Sequence, residues 1–176
     1  MQNYKYTFSE LLSDIKTDIS VKTSSYLWSF YYFLFSPQIK VVFYYRLSHW
    51  LFVNNFCRLA YVIKCFQAKY GCYISEKSII GKRFSLPHPV GIVIGDGVVI
   101  EDNVSIWQNV TLGSHGKRDT QPGYPYIERD VRIFVGAVLI GRIKVGEKAT
   151  IGANTVVLSD VPPNSIAVGT PYKGYQ

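Results

Sequence analysis

The chain has 176 residues, nearly half of them apolar (48%), and a formal net charge of +7. That apolar content excludes a disordered chain, and the length suits one domain with a small N-terminal subdomain. The lysines and arginines are scattered and carry no DNA- or RNA-binding signature, so nucleic acid is not an expected partner, whereas phosphates or an anionic membrane face suit a basic surface.

The first residues, Met1 to Ser9, lack a basic segment followed by an apolar run, so no signal peptide is expected and the chain is placed in the cytoplasm. Residues 7–21 read as an amphipathic helix, with Phe8, Leu11, Leu12, Ile15 and Ile19 inside and Asp14, Lys16 and Asp18 outside. The aromatic stretch from Tyr26 to Phe35 is too short to span a bilayer. Pro37 marks a helix start, and helical spacing continues from Ile39 through Phe43, Leu47, Trp50 and Leu51 to about Phe66, with Arg46 and Asn54 between the apolar positions. Residues 1–72 therefore read as a region of roughly three helices. Its aromatic load exceeds what so small a unit buries alone, which calls for packing on the second half, on another subunit, or as peripheral contact at the inner membrane face. Cys57, Cys65 and Cys72 form no CxxC pair and have no zinc-ligand spacing, so they are read as reduced structural thiols, and no metal site is expected.

After Tyr73 the period changes to six. Aliphatic residues recur at Ile94, Ile100, Ile106 and Leu112, and again at Ile127, Ile133, Leu139, Val145, Ile151 and Val157. Small or aliphatic residues hold a second phase, from Val98, Val104 and Val110 to Val131, Ala137, Ile143, Ala149, Thr155 and Val161. Self-similarity at a fixed short period is the mark of a solenoid. Each six-residue unit supplies one short strand and one turn, three units close a triangular coil, and the aliphatic residue points at the axis. Gly97, Asn103, Asn109 and Asn154 fall at the corners, where unusual dihedrals are needed. Leu112 and Ile127 lie fifteen apart, out of phase, so a polar, glycine-rich loop over 113–126 is extruded from the domain spanning 73–176.

Four segments together resemble the serine acetyltransferase branch of the hexapeptide acyltransferases, from about Ser36 to Lys173. They are Tyr45-Arg-Leu-Ser-His-Trp-Leu51, His88-Pro-Val-Gly-Ile-Val-Ile-Gly95, Val104-Ser-Ile-Trp-Gln-Asn-Val-Thr-Leu-Gly113, and the closing Asp160-Val-Pro-Pro163 with Val168-Gly-Thr-Pro171. The resemblance implies a mainly β fold, a left-handed parallel β-helix with a short N-terminal α-helical subdomain. It also implies homotrimers with active sites at subunit boundaries and direct acetyl transfer from acetyl-CoA without a metal. His88, six residues before Ile94 and between Pro87 and Pro89, takes the place of the family's base. Its position in the period places it in a core-facing phase, where an imidazole is costly without a use, and an imidazole near neutral pKa suits the removal of a hydroxyl proton. Backbone N–H groups of a neighbouring coil or loop are the expected oxyanion donors. Gly113, Val135, Ala153 and Lys173 match the family's coenzyme A contacts, with Lys173 toward a phosphate.

The departures fall on the acceptor side. Pro87 stands where the family usually has an aspartate before the base, and Val21-Lys-Thr-Ser-Ser25 replaces an aspartate-proline pair that grips the serine amino group. The family's second histidine aligns with Tyr124, and His115 in the same loop is the second catalytic candidate. An ammonium group without carboxylates is costly to bind. The expected activity is therefore O-acetylation of a sugar hydroxyl in bacterial surface polysaccharide biosynthesis, on a small or lipid-linked saccharide stacked on Trp107 and Tyr124. The alternatives are a serine acetyltransferase of cysteine biosynthesis, with Asp14, Asp18 or Asp119 supplying the missing charge, and a non-catalytic β-helix scaffold. The chain ends at Gln176 without the family's isoleucine-ended tail, so no complex with cysteine synthase is expected.

Overall fold

The computed structural model describes residues 6–116 and 123–171. Beyond Tyr73 the six-residue period becomes a triangular coil whose two- or three-residue strands pair in parallel with their equivalents on the next turn. One face stacks Tyr73–Ile74, Val93–Ile94, Thr111–Gly113, Val138–Ile140 and Val156–Val157. The second stacks Ile79–Ile80, Val99–Ile100, Tyr126–Ile127 and Lys144–Val145. The third stacks Ser105–Ile106, Arg132–Ile133, Thr150–Ile151 and Ile166–Ala167, and a bridge from Ser85 to Ser105 prolongs it. The fold is a left-handed parallel β-helix. Its axial residues from Ile94 to Val157 are buried, as are those of the second phase. Asn103, Asn109 and Asn154 take the left-handed corner conformation, with φ of 61°, 59° and 54°. Gly97 does not, and serves by its size: the ring of Tyr124 occupies the space a side chain would fill.

The axial stack begins earlier than the sequence pattern indicates. Ile74 pairs with Ile94 and Ile80 with Ile100, and Leu86 lies above Ile106 beside the Ser85 bridge. All three are buried. The first coil is thus two residues longer than the eighteen of a regular turn, which separates Ile94 from Leu112.

Four helices precede the coils: α1 (Phe8–Ser20), α2 (Tyr26–Phe35), α3 (Pro37–Val53) and α4 (Cys57–Cys65), followed by a 3-10 turn, Phe66–Tyr70. Thr7 and Glu10 form a reciprocal capping box on α1, and Pro37 opens α3. The single long helix expected from Ile39 to Phe66 is two. Asn55 turns left-handed at φ 68° and the Phe56 N–H donates back to the Leu51 carbonyl, which closes α3. Among the described residues no helix is long and apolar enough to cross a membrane.

These helices do more than cover apolar surface. The first coil is an edge: the N–H groups of Tyr73, Ser75, Ile79 and Gly81 bond to the coil below, leaving alternate backbone groups pointing the other way. Side chains of the helices meet them. Gln67 accepts from the Ile74 N–H (2.8 Å), Tyr45 donates to the Ser78 carbonyl (3.0 Å), and the His49 Nδ1 lies 2.8 Å from the Glu76 carbonyl. Arg46 donates to the Ile80 carbonyl (2.6 Å) and to that of Gly81, while Asp18 accepts from the Phe84 N–H (3.0 Å). The Arg46 Nε and the Asp18 carboxylate, 2.8 Å apart, form an ion pair with side chains 2% and 4% exposed. Asp14 and Asp18, expected outside, are therefore both buried. Asp18 faces the solenoid because its edge requires an acceptor there, a demand that apolar periodicity does not register, while Asp14 accepts from the Tyr6 hydroxyl.

Two outcomes follow from this cap. Arg46→Met strands the Asp18 carboxylate and should lower stability by about 3–5 kcal/mol in urea unfolding, with part regained on adding Asp18→Asn. Burial holds the His49 imidazole below its ordinary 6.5, against the opposing pull of the Glu76 carbonyl. The unfolded chain then takes the proton first, so the His49 contribution is complete above that value and is lost as pH falls below it. His49→Gln should flatten the dependence of stability on pH between about pH 5 and 7.

Candidate active site

His88 belongs to the two extra residues of the first coil. Leu86 lies above Ile106, and the Asn109 N–H donates to the Val90 carbonyl (2.8 Å) just as the Asn154 N–H donates to that of Val135. Pro87 therefore lies above Trp107 and Val90 above Gln108, and His88 and Pro89 have no counterpart below. This corrects the core-facing phase inferred for His88 by counting six back from Ile94. Leu86 occupies that axial row, and His88 is pushed out at the corner, where it is exposed.

The bulge is braced on both sides. The Val90 N–H donates to the His88 carbonyl across Pro89 (2.8 Å), and the Gln38 carboxamide donates to the Pro87 carbonyl. Gly91, at φ 65°, sits directly over the Asn109 side chain, so no Cβ fits there. Between the bulge and the helical cap lies an open pocket of about 600 Å³, whose polar lining comes from Ser36, Gln38, Lys69, Tyr70 and His88. The imidazole has no hydrogen-bond partner among the described residues, and no carboxylate lines the pocket. Ser36, Gln38, Lys69 and Tyr70 belong to no motif, because they come from separate helical segments that only the cap brings to the corner.

The other site candidates divide between two corners of the prism. Val135 and Ala153 are successive members of the row that contains Val90 and Gln108, so they run down the same corner as His88. Trp107 is on this corner too, but its ring is stacked on Phe134 with centroids 4.4 Å apart. Gly113, His115 and Tyr124 are at the next corner, across the first face. There the His115 ring lies over Gly141, where a side chain would collide with it, and the Tyr124 ring packs on Gly95 and Gly97. Lys173 and Asp119 lie outside the described residues. Asp18 is held by Arg46, and Asp14 takes the Tyr6 hydroxyl, so neither reaches the His88 pocket. One chain thus carries His88, Val135 and Ala153 on one corner, and the base of the extruded loop on another.

No family model matches the chain. A serine acetyltransferase of Buchnera aphidicola is 38% identical over 130 residues, which is 73% of this chain and 50% of that protein. A truncated serine acetyltransferase, solved as the apoenzyme, superposes with a TM-score of 0.85 at 32% identity, covering 94% of this chain and 70% of the other. A serine acetyltransferase from Brucella abortus, solved with coenzyme A, gives a TM-score of 0.85 at 30% identity, covering 94% and 68%. The chain spans about half the length of the curated relatives it matches.

These similarities correct the expectation of a polysaccharide O-acetyltransferase acting on a saccharide: the relatives on both counts are serine acetyltransferases. One face of the Trp107 ring is stacked on Phe134, and the Tyr124 ring packs on Gly95 and Gly97.

The register makes a direct contrast testable. Leu86→Ala should cost about 2–5 kcal/mol, as an axial truncation does, in chemical denaturation. His88→Ala, at an exposed corner, should stay within about 0.5 kcal/mol of the parent.

Proposed function

The chain belongs to the serine acetyltransferase family of hexapeptide-repeat acyltransferases, and from that premise we propose that it transfers the acetyl group of acetyl-CoA to the hydroxyl of L-serine. The observation that carries this reading is the exposed, unbonded imidazole of His88 on a braced corner, opening on a pocket large enough for a small acceptor. His88 accepts the hydroxyl proton as the serine oxygen attacks the thioester carbonyl. The carbon–sulfur bond then breaks, and the departing thiolate recovers the proton from the imidazolium. The thioester is already activated, so no covalent enzyme intermediate is needed. Lys69, the cation in the pocket lining, suits the acceptor carboxylate.

Val135 and Ala153 give the pantetheine a small-residue path along the corner below His88, with Lys173 toward a phosphate of coenzyme A. Gly113 belongs to the same ligand only if the corner that carries it comes from a second chain. A homotrimer joined corner to face meets that need, placing His88 of one protomer opposite the loop corner of its neighbour. The same arrangement allows the neighbour to supply the carboxylate that the serine ammonium requires and that this pocket lacks.

Thiol release from acetyl-CoA should depend on L-serine and exceed that with any oligosaccharide; the reverse preference rejects the proposal. His88→Ala should lower kcat by about 10²–10⁴-fold while leaving the circular dichroism spectrum unchanged. Mixed trimers of His88→Ala and Gly113→Trp chains, each inactive alone, should recover about a quarter of the parent activity, because random assembly rebuilds one intact site in four.

A further inference from the structure

The helical cap presents a surface that, apart from Lys69 at its edge, the acetyl-transfer site does not use. On α2 the half-buried residues Ser29, Tyr32 and Phe33 face the body of the protein, and Phe33 meets Phe43 of α3 edge-on at 5.1 Å. The opposite side carries Leu27, Trp28, Phe30, Tyr31, Leu34 and Phe35, all exposed, Leu27 by 80% and Phe30 and Phe35 by 64% each. The patch continues through Phe43 and Tyr44 to Phe66, where Lys69 lies over the ring at 5.6 Å from its centroid. A ten-residue helix without one charged side chain, turned outward on this scale, needs a cover.

Charge decides between covers. From Ile19 to Ser75 the chain has six lysines and arginines and not one aspartate or glutamate. Arg46 and Lys64 are neutralised internally by Asp18 and Glu76. Lys22, Lys40, Arg58 and Lys69 have no carboxylate partner among the described residues. A second copy of the same surface would oppose cation to cation, which disfavours self-association through it. An anionic bilayer satisfies both needs at once. Aromatic side chains settle at the level of the lipid headgroups, and unpaired lysines and arginines are drawn to their phosphates.

We propose that α2 and the unpaired cations of the helical cap form a docking surface for an anionic phospholipid membrane, with the helix lying in the interface rather than crossing it. The cap closes one end of the solenoid, so in the trimer proposed above, on which this clause rests, three such helices share one end and bind together. The surface itself is independent of the acceptor.

The full chain should sediment with phosphatidylcholine vesicles containing about 30% phosphatidylglycerol at least tenfold more tightly than with phosphatidylcholine alone, and be released by salt. Trp28 emission should shift to the blue on binding, and Trp28→Phe should remove that shift. Phe30→Ser with Leu34→Ser should weaken binding at least tenfold, and Lys22→Glu with Arg58→Glu should abolish the preference for anionic vesicles. Both pairs of variants should keep the parent rate of serine-dependent thiol release, since neither touches the His88 pocket. Equal binding to neutral vesicles, no binding, or self-association that the Phe30 and Leu34 changes disperse would each overturn the proposal. A protein that docks on vesicles but ignores serine would reject the acceptor assignment and leave this surface standing.

Discussion

The whole molecule hangs on one requirement: an aliphatic side chain must reach the axis once per strand, and the strands of successive coils must stay in register. Stacked that way, Ile74, Ile94, Leu112, Leu139 and Val157 form one dry column, and two others stand beside it. A column tolerates no side chain out of phase, because a one-residue slip would send the aliphatic outward and its polar neighbour inward. Surplus residues are therefore expelled at corners. Two leave at His88 and Pro89, and a longer excess leaves after Gly113. Both expulsions carry the candidate catalytic histidines, since a corner residue freed from the column can be polar and still be held by a rigid frame.

The same column creates the problem that the helices solve. A stack of parallel strands has two ends, and at each end half of the backbone groups of the last coil have no coil to bond with. Gln67, Tyr45, His49, Arg46 and Asp18 take the place of the missing turn, group by group, along the first coil. The cost of burying a guanidinium and a carboxylate is offset by their mutual pairing and by the backbone groups they satisfy. Because the helices must sit over the edge to do this, they also stand beside the corner that begins at Pro87. The pocket at His88 is thus a by-product of edge protection, lined on one side by the coil and on the other by the cap.

The fold was legible because its signal is aliphatic and repeated: ten axial positions from Ile94 onward announce the period without help from any neighbour in space. The start of the stack was hidden. Ile74, Ile80 and Leu86 keep the six-residue spacing, but the next axial residue, Ile94, comes eight later, so counting backward lands on His88 instead of Leu86. Only the bond from Asn109 to Val90 reveals which residues are surplus. The case for His88 therefore rests on its motif rather than its phase. The polar cap was illegible for a different reason: Asp18 and Arg46 interrupt an apolar helix face, and nothing local distinguishes a charge that meets water from one that meets a backbone edge. Lys69 and Tyr70 have no motif at all and gain meaning only from the corner they overhang.

In the trimer proposed above, the acceptor side is shared between neighbouring chains. Pro87 in place of an acid, and a run without the aspartate-proline pair, suggested that the ammonium clamp had been lost and the acceptor had changed. His88 lies on one corner of the prism and the extruded loop leaves from another, with a full face between them. Groups on different corners of a rigid prism converge only when a second prism is laid against the first. In that trimer the balance of charge around the acceptor belongs to the assembly, so carboxylates missing beside His88 do not argue against an amino-acid acceptor. What the single chain does determine is the position of His88 and its bracing, which the two extra corner residues provide wherever a neighbour's groups fall.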